Sequence, residues 1–199
     1  MDAGRRRVVD EVFAQGQEHD LGQDDRIARY RNLEPETGQL LNVLVRACGA
    51  RRILELGTST GHSTLWLADA AEATGGVVES VEIDPDRAAI ARDHVRAAGL
   101  TESTRLRVAD IGAVLAAAGA GAWDIVFLDA ERRHYVEYLP HLLRAVADGG
   151  VLAVDNVISH AGELVEFSAA IDAEAALTHT VVPVGAGLLV AVKGIVGSR

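Results

Sequence analysis

The sequence predicts an α/β protein: a mostly parallel seven-stranded sheet with helices on both faces and a C-terminal antiparallel hairpin. Three observations carry this prediction. From Arg52 onward, short apolar runs alternate with helical stretches, as in a parallel sheet wrapped by helices. The run Ile125-Val126-Phe127-Leu128 is continuously apolar, as a strand buried on both faces should be. The last two strand-like segments are joined only by Gly185-Ala186-Gly187, too short for a crossover helix, so they must pair antiparallel.

Ahead of the alternating part, residues 5–18 place Val8, Val9, Val12 and Phe13 on one side of a helix, and residues 19–34 are polar and irregular. Glu34-Pro35-Glu36-Thr37 starts a second helix, with Pro35 as first helical residue and acids at the positive end. Its stripe is Leu40, Leu41, Leu44 and Val45, and Gly49 ends it. Ile53–Leu56 is the first strand; Gly57 and Gly61 break it, and Ser63–Ala73 continues as a helix. The second strand covers 76–83. Asp84-Pro85 then opens a helix through Ala97, closed by Gly99. The third strand is Thr104–Ala109, followed by a helix over Ile111–Ala118. Trp123–Leu128 is the fourth strand, Tyr135–Ala147 a helix, Gly150–Val154 the fifth strand, and a helix lies near Gly162–Ala175. The hairpin strands are His179–Val184 and Leu188–Val192. No repeat or linker interrupts the chain, so one domain is expected over 1–199, with N-terminal helices in 1–48 and the α/β core in 51–193.

Composition narrows the function classes. The 199 residues, 49% hydrophobic, suit one α/β domain with a sizeable core. No apolar run reaches membrane-spanning length, and Arg5-Arg6-Arg7 is not followed by a signal-like apolar stretch, so no membrane partner is expected. Cys48 is the only cysteine, which excludes an internal disulfide and points to the cytoplasm. A formal net charge of −10 argues against nucleic acid, and the three arginines suit a solvated helix end.

In open parallel sheets ligands sit at the carboxyl ends of the strands, so the residues there are the candidates. The first strand runs into Gly57-Thr58-Ser59-Thr60-Gly61-His62-Ser63, a strand, glycine loop and helix that offers backbone N–H groups to a ligand. It is not G-x-G-x-x-G, because Ser59 stands where a dinucleotide pyrophosphate needs the second glycine. That counts against the rival reading, an NAD-dependent oxidoreductase. Glu55-x-Gly57-x-x-x-Gly61 instead resembles the first motif of class I S-adenosylmethionine-dependent methyltransferases. Ser63 is suited either to hold a carboxylate such as that of methionine or to cap the helix. Glu82, about 20 residues past the loop, is placed to accept from ribose hydroxyls, while Asp84 is assigned to capping. Asp110 suits either an adenine amino group or the cap of the next helix. Asp129 and Asp155-Asn156 end the fourth and fifth strands. Strands pair ~4.8 Å apart, so these hard oxygen donors can converge on Mg²⁺ or Ca²⁺; the alternative is that each acid caps a helix.

Together these residues resemble the cation-dependent O-methyltransferases, the family of catechol and caffeoyl-CoA O-methyltransferases. The resemblance covers roughly residues 34–193. It rests on Gly38-Gln39-Leu40-Leu41, Glu55 to Ser63, Val81-Glu82-Ile83-Asp84-Pro85, Val126-Phe127-Leu128-Asp129-Ala130, Asp155-Asn156 and Pro183-Val184-Gly185-Ala186-Gly187-Leu188. It implies the Rossmann-like methyltransferase fold, with Glu82 on the ribose and Gly57 and Ser63 at the methionine end of S-adenosylmethionine; Glu55, Ser59, Gly61, Asp110 and Asp129 complete the expected cofactor-binding set. It also implies a divalent cation (Mg²⁺, with Ca²⁺ or Mn²⁺ as alternatives) on Asp129, Asp155 and Asn156, a homodimer, and a small catechol-like hydroxylated acceptor. Two departures stand out. The family's lysine, three residues after the first metal aspartate, is here Arg132, and His62 replaces an aromatic residue in the glycine loop. Arginine stays protonated and cannot be the general base, although it can stabilise a phenolate. The base is then the metal-bound hydroxyl's own acidity, His134 or Glu131. Asp129 and Arg132 are the expected catalytic pair. A cofactor-binding subunit without chemistry is the non-enzymatic alternative, for which Arg132 is the hint.

Overall fold

The computed structural model describes residues 1–25 and 28–194; part of the irregular stretch 19–34, and the end of the expected domain 1–199, therefore lie outside the described residues. The first helix, α1 (Ala3–Leu21), is longer than 5–18 because the Asp2 carboxylate accepts the Arg5 N–H at 3.0 Å and extends the start. Helix α2 (Pro35–Ala47) begins at Pro35 as the sequence predicts. Then come β1 (Arg52–Leu56), α3 (His62–Thr74), β2 (Val77–Glu82), α4 (Pro85–Ala97), β3 (Thr104–Val108), α5 (Ile111–Ala117) and β4 (Trp123–Leu128). The chain ends with α6 (Tyr135–Ala145), β5 (Val146–Val154), α7 (Val165–Ala173), β6 (Leu177–Val182) and β7 (Leu188–Lys193).

The seven strands of the described residues form one sheet in the order β3-β2-β1-β4-β5-β7-β6, parallel except for β7, which is antiparallel to both β5 and β6. The chain builds outward from β1 to β3 and then returns to lay β4 on the other side of β1. That reversal opens a crevice at the carboxyl ends of β1 and β4, where ligands of open α/β sheets bind. The central strands feed both faces. Ile53 and Phe127 pack toward Leu65 and Trp66 of α3, while Leu54, Leu56, Val126 and Leu128 pack toward Leu142 and Phe167.

Two of the boundaries that differ from the sequence reading have a clear local cause. Helix α6 stops at Ala145, not Ala147, because Val146 already pairs with Trp123 and β5 bulges before Val151 pairs with Ile125. Gly149 takes a positive φ there, and a Cβ on Gly150 would press on the Asp124 and Ala147 carbonyls at 2.8 Å. Strand β6 ends at Val182 because Pro183 has no N–H for the ladder, and the Gly187 N–H closes the turn onto the Val184 carbonyl at 2.8 Å.

Candidate active-site cleft

A cleft of about 620 Å³ lies over the carboxyl ends of β1, β2, β4 and β5, and the segment Tyr30–Glu34 forms part of its wall. The glycine loop lines it through Gly57, Ser59, His62 and Ser63. Gly57 has φ +108°, and any Cβ there would overlap the Asp129 carbonyl oxygen, so glycine is required for the two strand ends to meet. The Asp129 N–H in turn donates to the Leu56 carbonyl at 3.0 Å. Some loop N–H groups are already used: Gly57 and Thr58 donate to the Val81 carbonyl, Gly61 to Thr58, and Ser59 to the Glu82 carboxylate at 2.7 Å. Those of His62 and Ser63 open α3 and have no acceptor within the helix.

Glu82 also accepts from the N–H groups of Ile83 and Asp84 at 2.9 and 3.0 Å, which fixes it on the cleft wall. Asp84 caps α4 by accepting from Asp86 and Arg87. Asp110 does both of its candidate jobs: it caps α5 through the Ala113 N–H at 2.8 Å and lines the cleft. Ser63 does not cap α3, whose N-cap is Gly61 with φ +88°; it lies inside the first turn, on the cleft. Gly61 lies against Ala91 of α4 and Glu55 sits behind the loop; neither lines the cleft. Glu55 is wholly buried. One carboxylate oxygen accepts from the Thr64 and Ser80 hydroxyls at 2.5 Å each, and the other has no partner. Burial pushes its pKa up to about 7 against the pull of the hydroxyls that face it.

Asp129, Asp155 and Asn156 converge as their spacing suggests. The Asn156 amide N–H₂ donates to both carboxylates at 3.0 Å, and Asn156 holds φ +67° to do so. Neither acid caps a helix. Asp155 is 2% exposed, and one of its oxygens is buried without a partner. Burial raises the pKa of both carboxyls. Arg31 opposes this at Asp129, whereas the charge of Asp129 raises Asp155 further. Tyr135 clamps the turn: its hydroxyl accepts the Ala130 N–H at 2.8 Å and donates to the Ala130 carbonyl at 3.1 Å.

Arg132 is buried on the cleft wall, and its Nε donates to Glu163 at 2.9 Å. His134 accepts from the Arg133 Nε at 3.0 Å and stacks on Tyr138, while Glu131 is exposed and pairs with Arg31 at 3.7 Å. His62 is 1% exposed beside Phe13 and Trp66, and burial lowers its pKa to about 4, so its ring is neutral.

Residues 23–193 match a family model described as O-methyltransferase. The chain belongs to this O-methyltransferase family. A catechol O-methyltransferase of Niastella koreensis is 38% identical over 130 residues, which is 64% of this chain and 58% of that one. A catechol O-methyltransferase of Mycobacterium tuberculosis is 38% identical over 66% of this chain and 59% of its own length. The match thus spans about three fifths of each of these relatives. Among solved structures, an O-methyltransferase from Bacillus cereus in complex with SAH aligns at a TM-score of 0.76 with 27% identity, covering 97% of this chain and 91% of that one. TomG from Streptomyces achromogenes, involved in tomaymycin synthesis and in complex with SAM, aligns at 0.80 with 25% identity, covering 98% and 91%.

Within this O-methyltransferase chain, sequence reasoning passed over Glu34 and Tyr135. Glu34 reads as a helix-start acid, yet its side chain makes no capping bond and lines the cleft. Tyr135 carries no local signal; only the folded turn gives its hydroxyl both partners. Among the described residues no three His, Cys, Asp or Glu side chains are arranged to hold a metal, so a metal set here needs the Asn156 amide. No described helix is long and apolar enough to cross a membrane.

Proposed function

We propose that this chain is a single-domain methyltransferase that transfers the methyl group of S-adenosylmethionine to a hydroxyl oxygen of a small, catechol-like acceptor, with help from a divalent ion. The observation that carries the reading is the convergence of Asp129, Asp155 and Asn156 beside the Gly57 loop and Glu82. Glu82 and Asp110 would take the ribose and adenine, and Gly57, Ser59, Ser63 and Asp129 the methionine end. Glu55 and Gly61 would support the loop from behind.

The donor set fits a hard cation. Two carboxylates meet at one amide, an Asp155 oxygen is buried without a partner, and a half-turn of the Asn156 amide would present its oxygen instead of its nitrogen. Mg²⁺ suits these oxygen donors, with Ca²⁺ or Mn²⁺ as alternatives. Such an ion, when bound, lowers the pKa of a coordinated hydroxyl. The chain's own residues do the rest. The loop and Glu82 hold the donor in line, and Arg132, fixed by Glu163, places a guanidinium where it can neutralise an acceptor oxyanion.

The catechol O-methyltransferase relatives support a catechol-like acceptor. The reading also carries a cytoplasmic homodimer with no nucleic-acid or membrane partner, and light scattering tests the dimer. The deciding experiment follows methyl transfer from labelled S-adenosylmethionine to catechol, with Mg²⁺ and with chelator. Transfer that needs the metal is expected. Transfer undiminished by chelator would remove the metal from the reading, and absence of transfer to any hydroxylated aromatic would remove the acceptor class.

A further inference from the structure

Arg132 stands where the family's lysine would take the acceptor's proton, and it cannot do that work. The nearby alternatives are occupied. Arg132 is held by Glu163, Glu131 faces out toward Arg31, and the His134 ring accepts from Arg133. His160 takes its Nδ1 contact from the Ser159 hydroxyl at 2.8 Å.

Glu34 differs from all of these. It lines the cleft, is half-buried, and makes no side-chain hydrogen bond or ion pair among the described residues. Its backbone is fixed on both sides. Ahead of it the Asp20 carboxylate accepts the Tyr30 and Arg31 N–H groups at 2.6 and 2.8 Å, and Leu33 is 3% exposed; behind it Pro35 opens α2. It lines the same cleft as Asp129 and Asp155, and its charge adds to the upward shift of both carboxyls. Gly185, at φ +52° in the β6–β7 turn, leaves room for it: a Cβ there would come within 3.0 Å of a Glu34 carboxylate oxygen. A carboxylate on the wall of the cleft that lines it together with Asp129 and Asp155, and that has no partner among the described residues, can receive hydrogen from something that enters the cleft.

We propose that Glu34 is the general base of this enzyme and takes the proton of the acceptor hydroxyl. The inference rests on the methyltransferase reading above. As the acceptor O–H bond breaks, its proton passes to the Glu34 carboxylate. The oxygen's electron pair forms the new O–CH₃ bond, and the electrons of the breaking C–S bond stay on sulfur, turning the sulfonium into a neutral thioether. Arg132 then faces the oxygen as charge develops.

The test compares Glu34→Gln and Glu34→Asp with wild type on catechol and on nitrocatechol, whose nitro group leaves a hydroxyl already ionised near neutral pH. Binding of the demethylated cofactor, read by calorimetry, checks that the variants keep the cleft. With catechol, Glu34→Gln should lower kcat by about 10²-fold or more, the usual worth of a general base, and Glu34→Asp should recover part of it. With nitrocatechol the loss should largely vanish. Equal losses on both acceptors, or an undiminished kcat on catechol, would overturn the assignment. So would an effect confined to KM for amine-bearing acceptors, which would make Glu34 an ammonium site. Wild type inert on both acceptors would instead sink the methyltransferase reading itself.

Discussion

Glu55 offers a sharp test because its energetics can be worked from the structure. Its carboxyl is wholly buried, with two hydroxyl donors on one oxygen and none on the other. Its pKa rises from an ordinary 4.5 to about 7, and burial is the largest cause. The sign follows from linkage. Between these two values the unfolded chain has released the proton while the folded chain keeps it. The stability Glu55 contributes is therefore full below 4.5 and is lost as pH rises through 7. At roughly 1.4 kcal/mol for each pH unit of the gap, the loss is ~3 kcal/mol. Glu55→Gln keeps an oxygen for the Thr64 and Ser80 hydroxyls and removes the ionisation. The assay is urea unfolding of both proteins in chelator at a series of pH values from acid to mildly alkaline. The two should be similar at the acid end, and the variant should gain on wild type by up to ~3 kcal/mol at the alkaline end. Stability curves that run parallel across the range would refute the account of Glu55 as a buried carboxyl that ionises at a cost.

Other substitutions probe the loop and the acids. Gly57→Ala should lower the melting temperature steeply or prevent folding, because the added carbon overlaps the Asp129 carbonyl and takes a φ that disfavours alanine; a melt close to wild type would contradict this. Glu82→Ala should weaken S-adenosylmethionine binding by ~1–3 kcal/mol in calorimetry, and it also releases the Ser59 N–H. Asp155→Ala should abolish metal-stimulated turnover while leaving most cofactor affinity, and full activity in chelator would show the acids to be structural. Arg132→Ala should lower kcat by up to ~10²-fold, the scale of one lost charge-stabilising donor, whereas Arg132→Lys should keep or raise turnover.

The order of strands and helices was legible in the sequence because each apolar run is bounded by glycine, proline or acid signals. The antiparallel end followed from the shortness of Gly185-Ala186-Gly187. That Glu82, Asp110, Asp129 and Asp155 line the cleft was legible for a related reason: the end of a strand has a fixed place in this class of sheet. What the sequence could not resolve was the choice between capping and binding, which depends on the dihedral angles of the next few residues. Ser63 proved to lie two residues past the cap, and Asp110 caps and lines the cleft at once. Glu55, expected on the ligand, lies behind the loop because alternation along β1 turns it with Ile53 toward α3, where Thr64 meets it. Glu34 was hidden because a helix-start acid satisfies a local rule, and only the long-range approach of Gly185 shows that its carboxylate goes elsewhere.

Five carboxylates, Glu34, Glu55, Glu82, Asp129 and Asp155, gather around one end of the sheet, and none makes an ion pair among the described residues. The arginines that bear on Asp129 and Asp155, Arg31 and Arg132, are shared with Glu131 and Glu163. Burying carboxylates with only partial compensating charge opposes folding, so a stability argument alone would have replaced or paired them. Backbone and hydroxyl donors offset only part of the deficit: Glu82 has three N–H groups, but Glu55 and Asp155 each keep an oxygen with no partner. The missing positive charge is then most economically a property of what binds. Under the proposed function a sulfonium with an ammonium group and a divalent ion would both supply it, and a neutral acceptor would not. On that proposal the cleft complements charges the chain leaves out, and ligand binding would stabilise the fold in proportion to its preference for the folded state.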